Sequence, residues 1–153
     1  MPKTQFANLD EIKARKGQEI ALSDWLTIEQ ERINGFAEAT GDHQWIHVDV
    51  ERAKRDSPFK APIAHGYLTL SLLAKFSQES IGLGGVRMGI NYGLNKVRFT
   101  SPVRVGSRVR ARFSLKDWED IEGGVQFTWT ATVEVEGQEK PACIAEMLSR
   151  WYV

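Results

Sequence analysis

The sequence predicts an α+β fold in which an antiparallel sheet of five strands curls around one long helix. Residues 125–136 alternate between apolar and polar side chains, as in a strand with one buried face. The segment HGYLTLSLLAKF (residues 65–76) is apolar on most sides of a helix, so protein must enclose it. The predicted order of one strand, then helices, then four consecutive strands favours an antiparallel sheet over parallel units.

The first half of the chain predicts a short strand and two helices. The strand covers about Glu19 to Leu22. The stretch Thr27-Ile28-Glu29-Gln30 has the pattern of a capping box and predicts a helix from about Ile28 to Ala39, ended by Gly41. Asp49 is the expected N-cap of a short helix from Val50 to Arg55, which ends before the two prolines of DSPFKAP.

The second half predicts the buried helix and the rest of the sheet. The helix begins near Gly66 and is closed by the glycines between Gly82 and Gly85. Short connections predict that the next four strands form a meander: Val86–Phe99, Ser107–Trp118, Val125–Glu136 and Pro141–Val153. The last of these ends in LSRWYV, and a long exposed edge of this kind favours a symmetric dimer.

Length and charge limit the classes of function. With 153 residues we expect one domain, residues 1–153, and 20 basic against 20 acidic side chains give no general attraction for nucleic acid. Neither a signal peptide nor a run of about 18 apolar residues is present, so we expect a cytoplasmic protein without membrane contact. The single cysteine, Cys143, lies among apolar residues and is expected to be a buried structural thiol.

The segment TGDHQWIHVD (residues 40–49) places an acid and two histidines between two predicted helices. Asp42 and His47 would point about 140° apart on a helix, so they can cooperate only if the chain between them folds back as a loop. In such a loop, pinned by Trp45 and Ile46, the pair can orient a water molecule and move its proton. Alternatively, Asp42 caps local amides and His47 is a satisfied histidine. A zinc site formed by Asp42, His43 and His47 lacks the usual ligand spacing, and we expect no metal.

The segment PIAHGYL (residues 62–68) begins the buried helix. The first amides of a helix have no partner inside it, and Gly66 allows a ligand to approach the chain, so this turn can bind a carbonyl oxygen that gains negative charge. Alternatively, Gly66 only permits close packing and His65 caps the helix. Of the two hydroxyls that follow, Thr69 and Ser71, the latter is the better candidate to face a cavity.

Taken together, ATGDHQWIHVDVERA (residues 39–53) and PIAHGYLTLSLLAKF (residues 62–76) resemble the hydratase signature of the MaoC-like (R)-specific enoyl-CoA hydratases. GDHQWIHVD is most similar to the NodN-like branch, and NKVRFTSPVRVGSRVRAR also resembles the family. The resemblance implies the hot-dog fold, a homodimer with its sites near the subunit interface, no cofactor, and an acyl thioester of coenzyme A or acyl carrier protein as substrate.

The resemblance also implies roles for individual residues. Asp42 and His47 match the pair that holds water for addition to a trans-2-enoyl thioester, and Gly66 matches the amide that stabilises the thioester carbonyl. Where many members have Asn-Pro, this sequence has Gln44-Trp45. Gln44 is expected to orient the loop or the water, and Trp45 to narrow the acyl channel. We also expect Ser71 to contact the substrate.

Six basic residues and no acid lie between Lys96 and Arg112, with Arg108, Arg110 and Arg112 on one face of a strand. This face either attracts the phosphates of coenzyme A or an acidic carrier protein, or it is a solvated surface paired with acids elsewhere.

Three functions are compatible with these patterns. The leading hypothesis is a lyase that hydrates enoyl thioesters, which the Asp42 and His47 segment favours. A thioesterase on the same scaffold, or an acyl-thioester binding protein without turnover, are the alternatives, and the Gln44-Trp45 substitution makes the latter plausible.

Overall fold

The computed structural model describes residues 2–153, and in this range the chain forms five helices and eight strands. The helices are α1 (Leu9–Lys13), α2 (Gln30–Thr40), α3 (Trp45–Val48), α4 (Val50–Asp56) and α5 (Gly66–Ser80). The strands are β1 (Thr4–Phe6), β2 (Glu19–Leu22), β3 (Leu26–Thr27), β4 (Ile81–Leu83), β5 (Met88–Phe99), β6 (Arg108–Ile121), β7 (Gly124–Val135) and β8 (Cys143–Tyr152).

The main sheet is antiparallel and curls around α5. Its strands follow the order β2-β6-β7-β8-β5, and β3 adds a short sixth strand beside β6. Helix α5 packs against β2, β6, β7 and β8 through the buried side chains of Leu68, Leu72, Leu73 and Phe76. The predicted α+β arrangement of a sheet wrapped around one helix is therefore confirmed.

Strand β7 has the alternation predicted from the sequence. Its odd-numbered residues from Val125 to Val135 are buried against the core. The exception among the even positions is Gln126, which is also buried and bonds to Glu119 and Arg150 through its side-chain amide. One buried face and one polar face thus define the inside and outside of the sheet at this strand.

The predicted meander of four strands is wrong for β5. This strand pairs with β8 at the far edge of the sheet, whereas β6, β7 and β8 follow one another. The connection of residues 100–107 crosses the beginning of α5, where Ala64 N donates to Val103 O and Val105 N donates to Pro62 O. Eight residues span up to about 26 Å, enough to cross the curled sheet. Strand β8, expected to be the edge, is an interior strand, and β5 is the edge.

Helix α5 is less enclosed than predicted. It runs directly into β4 at Ile81, before the glycines, and β4 pairs in parallel with β1. On one side Tyr67 is 71% exposed and Ser71 is also exposed. Here α5 and the β5 edge border an apolar groove of about 230 Å³, lined on the strand side by Tyr92 and Leu94.

Helix α2 begins later than the capping-box pattern predicts. Ile28 is buried and its amide donates to Ser107 O, so residues 27 and 28 belong to the sheet side of the boundary. Glu29 occupies the N-cap without a side-chain bond. The predicted end is confirmed, since Gly41 has φ 81° at the C-cap. Asp49 caps α4 as expected, accepting from Arg52 N.

The arginines of β6 are paired on the outer face of the sheet. Arg108 donates to Glu136, and Arg110 and Arg112 both donate to Glu134 at 2.8 Å. Their pairing favours the interpretation of a solvated surface over that of a phosphate-binding face. Cys143 is fully buried, as predicted, and burial raises the pKa of its thiol to about 11. Within residues 2–153, every helix is too short or too polar to cross a membrane.

Candidate active site

The chain folds back between Asp42 and His47, as the loop prediction requires. Residues 41–44 are irregular after the left-handed Gly41, and α3 then begins with a tight turn in which His47 N donates to Gln44 O. A carboxylate oxygen of Asp42 and a ring nitrogen of His47 lie within 4.8 Å of each other. His47 therefore lies on a short helix, and the loop is confined to residues 41–44.

Backbone contacts hold His47 in place. Ile63 N donates to Ile46 O at 3.1 Å, and Ile63 O lies 2.7 Å from Nδ1 of His47. Because a carbonyl oxygen only accepts, Nδ1 carries the proton and Nε2 keeps a lone pair. From α2, the side-chain amide of Gln30 donates to His47 O at 2.8 Å. The imidazole is thus oriented with one basic nitrogen free.

The two ionisable groups of this pair have different surroundings. His47 is only 7% exposed, and burial lowers its pKa from the usual value. The bond to Ile63 O and the charge of Asp42 oppose this shift, while His65 adds to it. Asp42 is exposed, and its carboxylate accepts the amide of Gln44 at 3.3 Å. The result is a neutral imidazole beside an accessible carboxylate.

The beginning of α5 is next to this pair. His65, the residue before Gly66, is 3% exposed, and its ring stacks on that of His47 with centroids 3.8 Å apart. Its Nε2 donates to Asp42 O at 3.0 Å. Thr69 N donates to His65 O, so the amides of residues 66–68 precede the first internal bond of α5 and have no acceptor within the helix. The structure therefore brings Asp42, His47 and Gly66 together.

Gly66 is covered by an aromatic ring in the isolated chain. A side-chain carbon added there would lie 3.1 Å from the ring of Phe99, at the end of β5. Phe99 is itself 48% exposed and makes an edge contact with Tyr67. Close packing and ligand approach, the two alternatives for this glycine, are both compatible with the geometry.

The remaining predicted site residues lie outside this cluster. Ser71 lines the apolar groove, about 7 Å further along the axis of α5, and its hydroxyl donates to Leu68 O. Gln44 is exposed at the start of α3. The ring of Trp45 lies under the guanidinium of Arg52, 4.1 Å away, and Trp45 is not among the residues that line the groove. Trp45 thus contacts Arg52 rather than this groove, and its narrowing of an acyl channel stays a prediction.

His43 is exposed, and its Nε2 lies 3.5 Å from a carboxylate oxygen of Glu38. The group of potential metal ligands is instead Asp42, His47 and His65. The rings of His47 and His65 are only 22° from parallel, so their in-plane lone pairs do not converge on one point. This arrangement does not suit the tetrahedral coordination of zinc.

Sequence reasoning missed two residues of the site. For His65 the sequence suggested only the alternative of a helix cap, yet its side chain makes no capping bond and contacts both Asp42 and His47 instead. Gln30 was only part of the supposed capping box. The signal for His65 was its position directly before Gly66, whereas no local pattern connects Gln30 with His47, 17 residues later.

Comparison with known proteins identifies a matching family and similar proteins that cover nearly the whole chain. The family described as MaoC like domain matches residues 11–137 of this chain. The 3-hydroxyacyl-thioester dehydratase Z of Mycobacterium tuberculosis H37Rv is 54% identical over 147 residues, covering 95% of this chain and 97% of that protein. Nodulation protein N of Rhizobium meliloti is 45% identical over 151 residues, covering 93% and 89%.

Among solved structures, a monoamine oxidase regulatory protein from Archaeoglobus fulgidus superposes with a TM-score of 0.77. It is 24% identical, and the match covers 99% of this chain and 97% of that one. At this level of identity the likeness concerns the fold, and it confirms the hot-dog architecture expected from the sequence.

Proposed function

The chain belongs to the MaoC-like domain family, and from this membership we propose that it catalyses the reversible hydration of trans-2-enoyl thioesters to 3-hydroxyacyl thioesters. The acyl group would be carried by coenzyme A or by acyl carrier protein. The observation that carries this proposal is the 54% identity with a 3-hydroxyacyl-thioester dehydratase over nearly the full length of both chains.

The geometry of Asp42 and His47 supports water as the nucleophile. A water molecule between the Asp42 carboxylate and Nε2 of His47 would be held by two acceptors and would lose a proton to the imidazole as its oxygen bonds to the β-carbon. The same proton, returned to the α-carbon, completes the addition of one water to the double bond. Dehydration is the reverse sequence.

The beginning of α5 supports the other half of the reaction. As the water adds, negative charge develops on the thioester oxygen, and an amide at Gly66 directed at that oxygen would stabilise it. Gly66 follows a residue whose ring contacts His47, so the oxygen and the water would lie on neighbouring sides of one substrate. This matches the chemical requirement of a conjugated thioester for both groups at once.

We propose that Ser71 and the apolar groove beside α5 contact the acyl chain. Gln44 would orient the loop of residues 41–44 or the water.

We also propose a homodimer formed through β5. Among residues 2–153 this strand has a neighbour on one side only, and it exposes Met88, Ile90, Tyr92 and Leu94. Two antiparallel copies would pair their open edges and cover the groove, which supports a second copy as the partner.

The hydratase proposal is tested with crotonyl-CoA, by following the loss of absorbance of the conjugated enoyl group. We expect turnover by the native chain, and a fall in kcat of about 10³-fold in both Asp42→Asn and His47→Ala, since each removes one partner of the water. His43→Ala is the matched control, because this exposed histidine neighbours Asp42 but pairs with Glu38.

Other outcomes would contradict the proposal. Release of free thiol, detected with a thiol reagent, would identify a thioesterase. Binding of acyl thioesters of several chain lengths without any turnover would identify a binding protein. Equal losses in His43→Ala and His47→Ala would contradict the assignment of the pair.

A further inference from the structure

We propose that His65 is a positioning residue of this site, which holds the backbone of Asp42 and the imidazole of His47 in one arrangement beside Gly66. The inference rests on the proposed hydratase function. It concerns a residue that would not itself contact the reacting atoms.

The side chain of His65 does not make the hydrogen bond expected from its position in the chain. It occupies the N-cap of α5, where a side chain commonly accepts an amide of the first turn, but it makes no such bond. Its Nε2 lies 3.0 Å from Asp42 O instead. Because that carbonyl only accepts, the hydrogen bond fixes His65 as the tautomer with the proton on Nε2.

The other nitrogen of His65 has no partner. Nδ1 is buried and makes no hydrogen bond with any part of residues 2–153. A proton on Nδ1 would therefore meet no acceptor, whereas a proton on Nε2 meets Asp42 O. An unpaired buried acceptor destabilises the fold, and a residue needed only to fill space would avoid this cost.

Ring contacts connect His65 with the proposed base. The rings of His65 and His47 stack 3.8 Å apart at 22°, and Phe36 of α2 touches His65 with ring centroids 4.9 Å apart. The stack blocks rotation of the His47 ring on that side, while Ile63 O holds its Nδ1. The ring stack and the Ile63 bond together fix the orientation of the His47 ring and thus the direction in which the lone pair of Nε2 points. His65 thereby joins the Asp42 loop, the His47 ring and the first residue of α5.

The tautomers can be measured directly, because the chain contains only three histidines. In long-range proton–nitrogen spectra of the full chain at pH 7, we expect the Nε2–H form for His65 and the Nδ1–H form for His47. The exposed His43 provides an internal reference. This measurement needs no turnover. A His65 ring protonated on Nδ1 would overturn the inference.

Two variants separate the contacts of His65. His65→Gln places an N–H the same number of bonds from the backbone as Nε2, so it keeps a donor for Asp42 O and loses the stack. His65→Phe keeps a ring against His47 and loses the donor. In each we expect kcat to fall about 10- to 100-fold with KM changed by less than about 3-fold, as for a misplaced catalytic group. His43→Gln is the control.

A double variant identifies the route of the effect. In the His47→Ala background, adding His65→Gln should lower kcat by less than about 2-fold, because the positioned group is already absent. If the kcat losses of His47→Ala and His65→Gln multiply in the double variant, the inference is overturned. A folded His65→Gln protein with native kcat would also overturn it. If His65→Phe fails to fold, His65→Gln alone decides. Absence of turnover in the native chain would instead overturn the hydratase function, and this role with it.

Discussion

The two nitrogens of the His47 ring have different roles in this structure. Nδ1 is committed to Ile63 O, whereas Nε2 keeps its lone pair, and a ring nitrogen of His47 lies within 4.8 Å of a carboxylate oxygen of Asp42. A buried ring with one free basic nitrogen accepts a proton from water only while it is neutral. Burial favours this state because it penalises the charged form and lowers the pKa of His47.

This shift predicts the acid limb of the pH profile. We expect kcat/KM for crotonyl-CoA to fall toward acid pH as His47 becomes protonated, with a midpoint below about 6.5, the ordinary value for histidine. His43→Ala should have the same profile. A midpoint at or above about 6.5 would contradict the assignment of His47 as the base.

The same shift affects stability with a defined sign. Because the pKa of His47 is lower in the folded chain, the unfolded chain binds the proton more readily. The contribution of this residue to the free energy of unfolding is therefore largest above the unfolded pKa of about 6.5 and decreases as the pH falls below it.

At the scale of single residues, the sequence predicted part of the site. The grouping of Asp42, His47 and Gly66 followed from the two motifs and their resemblance to a family, and the geometry brings these three residues together. His65 and Gln30 were missed because their roles depend on contacts between segments that are distant in sequence. A local pattern contains no information on such contacts.

At the scale of elements, the beginning of α5 and the end of β5 are in contact at Gly66 and Phe99. This contact separates the two explanations for the glycine. In Gly66→Ala we expect kcat to fall about 100-fold, because the added carbon occupies the approach to the helix amides. If close packing were the only reason, shortening the opposing ring would restore the rate.

The double variant Gly66→Ala/Phe99→Ala therefore decides between these explanations. We expect its kcat to remain as low as that of Gly66→Ala, with Phe99→Ala alone as the control for the ring. Recovery to the level of Phe99→Ala would mean that the glycine serves packing and would remove Gly66 from the proposed chemistry.

The elements differ in how well the sequence predicted them. The alternation in β7 is a property of a single segment and was predicted correctly, whereas the enclosure of α5 depends on its neighbours and was predicted only in part, since Tyr67 and Ser71 are exposed. The position of β5 next to β8 depends on the path of residues 100–107 across α5, which rests on backbone bonds to residues 62 and 64. Backbone bonds leave no side-chain pattern, and the meander was therefore the wrong prediction.

At the scale of the whole molecule, the open β5 edge predicts dependence on a second copy. Leu94 is 46% exposed at the groove, so Leu94→Arg should leave the folded chain intact but should bury a charge in the proposed interface. We expect the dimer to dissociate at concentrations at least about 100-fold higher than for the native chain, as measured by sedimentation.

Ile144→Arg is the matched control for this experiment. Ile144 is similarly exposed, at 40%, but it points to the opposite side of β8 from the buried Cys143 and away from the core. Its substitution should leave the dimer unchanged. A native chain that sediments as a monomer, or equal dissociation of both variants, would contradict an interface at β5.

The burial of Cys143 allows the opening of this fold to be measured through the reactivity of its own thiol. The residue is the only cysteine of the chain, and its neighbours in the sheet are Val133 on one side and Phe99 on the other. An alkylating reagent can reach a reactive thiolate there only after these two ladders have separated, because the buried thiol stays protonated. The rate of alkylation under native conditions therefore reports how readily the sheet around α5 opens at Cys143, without an introduced label.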